Sequence, residues 1–137
     1  MDSNCIFCQI TNKQISSEIV FEDENLLAII DLYPAAAGHL LLIPKEHISS
    51  IKDFSQDLIA HFGKISQRFS SIFFQNLKTE GVTSIIQEGK FAGQKSPHQI
   101  MHLIPRFEND GLSFNIEDIE LSKQDFEEFF MSWVDKK

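Results

Sequence analysis

Positive charge is scarce in this chain: 12 Lys and Arg stand against 20 Asp and Glu, a formal net charge of −8. The basic stripe expected of a nonspecific nucleic-acid binder is therefore missing. A mononucleotide remains compatible, because a pocket needs only local donors. Hydrophobic runs are short, far below the roughly 18 residues that would suggest a membrane span. The N-terminal Met-Asp-Ser-Asn-Cys has neither the basic nor the apolar stretch of a secretory signal. Cysteine is limited to Cys5 and Cys8. In a chain read as cytoplasmic, these are reduced thiols rather than a structural disulfide. No internal repeat, low-complexity tract or linker interrupts the 137 residues. That length suits one domain, 1–137, whose core needs no staples.

What the chain does contain is a proline-fenced segment, Gly93-Gln94-Lys95-Ser96-Pro97-His98-Gln99-Ile100-Met101-His102-Leu103-Ile104-Pro105-Arg106. On a helix, His98 and His102 would share a face and could grip one metal. The window between Pro97 and Pro105 is too short for a typical helix, and proline breaks helix interiors. A strand fits better. There the two histidines point the same way about 13 Å apart, too far to share an ion. Two separate jobs follow, with Ile100 between them.

The remaining pattern reads as α+β. A short helix is expected over 5–12, strands over 18–22 and 26–32 around the turn at Asp23-Glu24-Asn25, and a buried strand over 40–43. Leu58, Phe62, Ile65, Phe69, Ile72 and Phe73 recur at helical spacing, capped by Ser55 or Asp53. Strands over 82–87 and 99–104 follow. Ser122 to Asp125 resembles a capping box opening a last, acidic helix over about 122–135. Without regular βα alternation, an antiparallel sheet of about five strands is expected, with the long helix and the C-terminal helix packed on it. His61 has no role in this reading and is expected at the surface.

Cys5-x-x-Cys8 suits two thiolates on one Zn²⁺, which needs four tetrahedral ligands. Spacing alone leaves a redox pair, a chance arrangement or two buried thiols as alternatives.

The segment from Gly93 resembles the signature of the histidine-triad (HIT) family of nucleotide hydrolases and transferases: Gly-Gln, then His-φ-His-φ-His-φ-φ, where φ is apolar, and often Pro-Arg. Gly93, Gln94, His98, His102, Pro105 and Arg106 match in register. Cys5-Ile6-Phe7-Cys8, Phe21-Glu22-Asp23-Glu24, Asp31, Gly38-His39, Ile43-Pro44-Lys45-Glu46-His47 and Asp110-Gly111 occur in family order. The resemblance spans about 4–115 and implies a HIT-like fold and a homodimer whose sheets meet edge to edge. In the zinc-bearing branch it implies a structural Zn²⁺ held by Cys5, Cys8, His47 and His98. It further implies a purine-nucleotide pocket for a nucleoside monophosphate or nucleotide conjugate. Asp31 would bind the ribose. Ile6, Phe7, Ile10, Ile29, Leu32 and Leu41 would sandwich the base. Gln94 and the backbone from Gly93 to Ser96 would cradle phosphate, and His39 and His102 would be the remaining active-site histidines.

The departures matter as much. Ile100 stands where the family has the nucleophilic middle histidine, and an aliphatic side chain has no lone pair for covalent catalysis. Lys95 replaces Ser or Thr, and Gln87 replaces an asparagine near the phosphates. Gln99 replaces an apolar residue and must find partners, mark an edge or serve a partner surface. Three functions are therefore weighed: a nucleotide-binding protein that has lost nucleotidyl transfer, a hydrolase working through His102 or an activated water, and a partner-binding protein with a closed pocket.

Overall fold

The computed structural model describes residues 4–134. In chain order the elements are α1 (Ile6–Thr11), β1 (Ile19–Glu22), β2 (Leu26–Ile30), β3 (Leu40–Pro44), α2 (Gln56–Ile72), β4 (Gly81–Ile86), β5 (Met101–Arg106) and α3 (Lys123–Val134). The strands form one antiparallel sheet in the order β1-β2-β3-β5-β4. The five strands and three helices expected from the pattern are all present, but residues 123–133 of α3 are exposed instead of packed on the sheet.

Strand periodicity splits the apolar residues between two layers. Leu26, Ala28, Leu40, Leu42, Met101 and Leu103 face α2, which returns Phe62, Ile65, Phe69 and Phe73. Leu27, Ile29, Leu41 and Ile43 face the opposite way, against Ile10 and Phe7 of α1 and against Ile100. β2 and β3 are thus covered on both faces, which is why they read as unbroken apolar runs.

Ser55 is the cap of α2: its Oγ accepts from the Leu58 N–H at 3.0 Å. Asp53 belongs instead to a preceding 3-10 turn, Ile51–Asp53. The helix unwinds through a π turn, Phe73–Leu77, and stops at Lys78 in the left-handed region. Ser122 caps α3, accepting from the Asp125 N–H at 3.0 Å.

Three details depart from the sequence reading. β5 runs through Pro105 rather than stopping before it. β3 pairs with β5 only as far as Leu103, so at Pro105 only the β4 side needs ladder bonds. His98 precedes β5 instead of lying on it. His61 is half-buried, with Nε2 2.5 Å from Asp23 Oδ2. Asp23 also accepts from the Asn25 and Leu26 N–H groups, closing the β1–β2 turn. Burial opposes ionisation of Asp23, but these hydrogen bonds outweigh it and hold its pKa below the ordinary value.

Phe62 is fully buried at the centre of the α2 layer. Phe62→Ala should lower unfolding free energy by about 3–5 kcal/mol in urea titration, the usual cost of an aromatic cavity.

Candidate metal centre and ligand cleft

Helix α1 holds Cys8, and Cys5 is its cap residue, so the two thiols lie nearly one turn apart. The loops after β3 and before β5 bring His47 and His98 to them. Cys5 Sγ lies 3.4 Å from His98 Nδ1, and Cys8 Sγ lies 3.1 Å from His47 Nδ1 and 3.5 Å from His98 Nδ1. All four donor atoms fall within 4.8 Å of one another. Bond lengths of about 2.3 Å to sulfur and about 2.0 Å to nitrogen require separations of this size around a tetrahedral ion.

Protonation agrees with that geometry. His98 Nε2 donates to the Pro44 carbonyl at 2.7 Å, which leaves its Nδ1 lone pair aimed at the thiols. Burial lowers the His98 pKa, favouring the neutral imidazole that a metal needs; the Pro44 carbonyl opposes this and His47 adds to it. The four residues fit a divalent metal and leave no open position among the protein ligands.

On the same side of the sheet lies a cleft of about 510 Å³ lined by Phe7, Asp31, Leu41, Ile100, His102 and the loop from Gly93 to Ser96, among others. The Leu41↔His102 register places these two side by side, and β3 carries His39 in just before it. His39 Nε2 is 3.0 Å from His102 Nδ1 and 3.6 Å from Asp31 Oδ2. The Ala35 N–H donates to His39 Nδ1 at 2.9 Å.

That last bond orders the chain of protons. With Nδ1 accepting, neutral His39 carries its proton on Nε2 and donates it to His102 Nδ1. His102 then carries its own proton on Nε2. The Asp31, His39 and His102 donor atoms also cluster within 4.8 Å. A metal there would need the His39 Nε2 lone pair that the Ala35 bond removes, so the two histidines form a hydrogen-bonded pair with the Asp31 carboxylate 3.6 Å from His39 Nε2.

The loop before His98 is tied by Gln94. Its Oε1 accepts from the Gly89 N–H at 2.7 Å, and its Nε2 donates to the Ser49 and Ser96 carbonyls at 2.8 and 2.9 Å. The side chain expected at a phosphate is therefore engaged in shaping the loop. Gly93 has φ +95°, and a Cβ there would come within 2.6 Å of Gln87 Nε2. Only glycine satisfies both conditions. Lys95 is exposed and Ser96 half-buried on the cleft wall.

Among the predicted base-binding residues, Phe7 and Leu41 line the cleft, while Ile10 and Ile29 pack behind it. Ile6 and Leu32 are exposed, at 51% and 69%, and do not line it. Gln99 is neither an edge nor a surface residue: it is 1% exposed and contributes to the cleft wall. Its Nε2 donates to the Gln87 and Ile100 carbonyls at 3.2 and 3.0 Å. Its Oε1 has no partner among the described residues. Tyr33 also lines the cleft and was missed, since in the sequence it reads only as part of a turn before Pro34. The Ala35 bond has no sequence signal at all, because any non-proline residue offers the same N–H.

Burial pushes the pKa of His39 and of His102 below the ordinary histidine value; Asp31 opposes this for both, and His39 adds to it for His102. The unfolded chain takes up these protons near pH 6.5, before the folded pair does. Stability should be complete above that pH, fall as pH drops through the window, and level off below the folded pKa values. Urea midpoints between about pH 8 and pH 5 would read the slope, and His102→Gln should flatten it.

The HIT domain model matches residues 12–109. An uncharacterized HIT-like protein of Methanocaldococcus jannaschii is 36% identical over 107 residues, covering 78% of this chain and 82% of its own. A bis(5'-adenosyl)-triphosphatase of Dictyostelium discoideum is 34% identical over 116 residues, covering 82% and 78% respectively. Among solved structures, a HIT family member of Bacillus subtilis superposes with a TM-score of 0.87 at 29% identity, covering 98% of both chains. A Zn-bound histidine triad family protein of Mycobacterium smegmatis superposes at 0.75 with 30% identity, again over 98% of both. A nucleophile-bearing signature strand is not needed for this assignment, which rests on the whole matched span: the chain belongs to the HIT domain family.

Proposed function

We propose that this protein binds a purine nucleoside monophosphate or a nucleotide conjugate and has lost nucleotidyl transfer. One observation carries the proposal. Ile100, at the position of the middle signature residue, packs against the Ile29–Leu41 layer and lines the cleft, where it has no lone pair to offer. Phe7, Leu41 and Ile100 supply an apolar wall for a base. Asp31 accepts from the ribose hydroxyls. Lys95, Ser96, the backbone from Gly93 and the His102 Nε2–H meet the phosphate, with His39 fixing that tautomer. Gln94 acts by holding the loop, and Gln87, which lines the cleft, stands near the phosphates.

Cys5, Cys8, His47 and His98 hold a structural zinc, a reading supported by the donor geometry and by the Zn-bound relative. When bound, the ion supplies a closed cross-link between α1 and the loop before β5. The protein is a single domain, 1–137, working in the cytoplasm as a homodimer joined at the free β4 edges.

A second reading, hydrolysis, is favoured by the Dictyostelium relative's name. It requires a free lone pair on His102 Nε2, against the tautomer that Ala35 imposes.

Phosphorus NMR of the protein with excess adenosine phosphoramidate separates the two. Broadened substrate that persists unchanged is expected; AMP that forms with the protein but not with His102→Ala would reverse the conclusion. Ile100→His should create turnover if the cleft is otherwise complete. Asp31→Ala should weaken ribonucleotide binding by about 1.5–3 kcal/mol, the worth of charge-assisted hydrogen bonds. Chelation should lower the melting temperature of the natural chain and leave Cys8→Ser unaffected.

A further inference from the structure

The start of α1 belongs to both polar centres at once. Cys5 and Cys8 meet the His47 and His98 rings, and Phe7, between them in sequence, lines the ligand cleft. Phe7 also packs on the Ile29–Leu41 layer, and its ring centre lies 5.8 Å from that of His98 at an interplanar angle of 59°. One side chain thus borders the metal-type cluster on one side and the wall assigned to the base on the other.

The histidine half of the cluster is built without α1. His98 Nε2 donates to the Pro44 carbonyl and the Gln99 N–H to the Ile48 carbonyl, each at 2.7 Å, which ties the loop after β3 to the loop before β5. The His47 and His98 rings meet edge-on with centres 5.1 Å apart.

The thiol half depends on α1, and that helix is weak by itself. It has six residues and no side-chain cap at Cys5. A helix this short is not stable in water without tertiary packing. The backbone bonds donated by Gln9, Asn12, Lys13, Gln14 and Ile15 end at Cys5, Cys8, Gln9 or Ile10, inside the same segment. Ile10 anchors the far end of the helix against the sheet, whereas the turn that carries Phe7 is fastened at the thiols.

We infer that Phe7 is positioned for the base by the metal centre, so that metal and nucleotide each tighten the binding of the other. This rests on the nucleotide-binding reading above and deepens it. Without an ion, Cys5 and Cys8 lose their common partner, the first turn of α1 loosens, and the base loses one side of its apolar wall. Whichever ligand binds first orders that turn, and the second no longer bears the entropy of ordering it.

The test uses the full chain loaded with Zn²⁺. Calorimetry with adenosine monophosphate gives its dissociation constant with the ion in place and after chelation. Equilibrium partition of Zn²⁺ against a coloured chelator gives the metal affinity with and without saturating adenosine monophosphate. Chelation should weaken nucleotide binding about tenfold, and the nucleotide should tighten Zn²⁺ by the same factor, because coupling between two binding equilibria is reciprocal. Phe7→Ala keeps all the donor residues and should abolish both effects, while Phe7→Tyr should keep them. Effects that persist in Phe7→Ala would mean that the ion acts through the stability of the whole fold, and overturn the inference. Nucleotide affinity unchanged by chelation overturns it too and leaves the nucleotide reading standing. A chain that takes up no Zn²⁺ also overturns it. Failure of the loaded chain to bind adenosine monophosphate defeats the nucleotide reading and this inference with it.

Discussion

The three-residue pairing of β3 with β5 sets the register on which the rest of the functional side depends. It puts Leu41 beside His102 and thereby brings His39, just before β3, within hydrogen-bond distance of that ring. A slip of one residue would turn His102 toward the α2 layer and Met101 toward the cleft. Slippage is opposed by the two-sided burial of β3, since every residue from Leu40 to Pro44 is buried. It is opposed at the start of β3 by Gly38, whose φ of +88° and close approach to Pro105 leave no room for a Cβ.

That register makes two polar centres out of one short histidine-containing segment, and each is set by a backbone partner. The Pro44 carbonyl takes the His98 Nε2 proton and frees Nδ1 toward the thiols. The Ala35 N–H fills His39 Nδ1 and passes donor character on to His102. Similar imidazoles are thereby prepared for opposite work: one presents a lone pair, the other a proton. Ile100 stands between them with neither, and its contribution is apolar surface shared with Phe7.

The glutamines show how polar side chains near the cleft can be structural. Gln94 spends its donors and acceptor on Gly89, Ser49 and Ser96, and so holds the loop whose backbone faces the cleft. Gln99 has its amide fixed by two carbonyls, an arrangement that leaves its oxygen unpartnered among the described residues. A buried acceptor without a donor costs roughly 1–3 kcal/mol, and it stands against the same wall as Ile100. These two departures from the family pattern, just before β5, are neighbours in sequence and line the same cleft.

Much of this was legible in the sequence because it rests on short-range chemistry. Apolar period gave α2 and the strands, Ser55 and Ser122 gave helix starts, and the prolines around His98 and His102 argued against a helix that would place both on one ion. The Cys5–Cys8 spacing offered two thiolates to a metal, and the family resemblance implied His47 and His98 as the other ligands. Pro105 inside β5, the pairing of His61 with Asp23, the burial of Gln99 and the engagement of Gln94 were not legible. Each depends on which backbone groups happen to lie opposite, and that is fixed only when the strands pair. The sequence by itself determined the elements and the types of side chain brought to the site, through periodicity and residue chemistry. Tertiary structure alone decided which nitrogen of each histidine carries the proton and which apolar faces stay uncovered, because both depend on contacts between residues far apart along the chain.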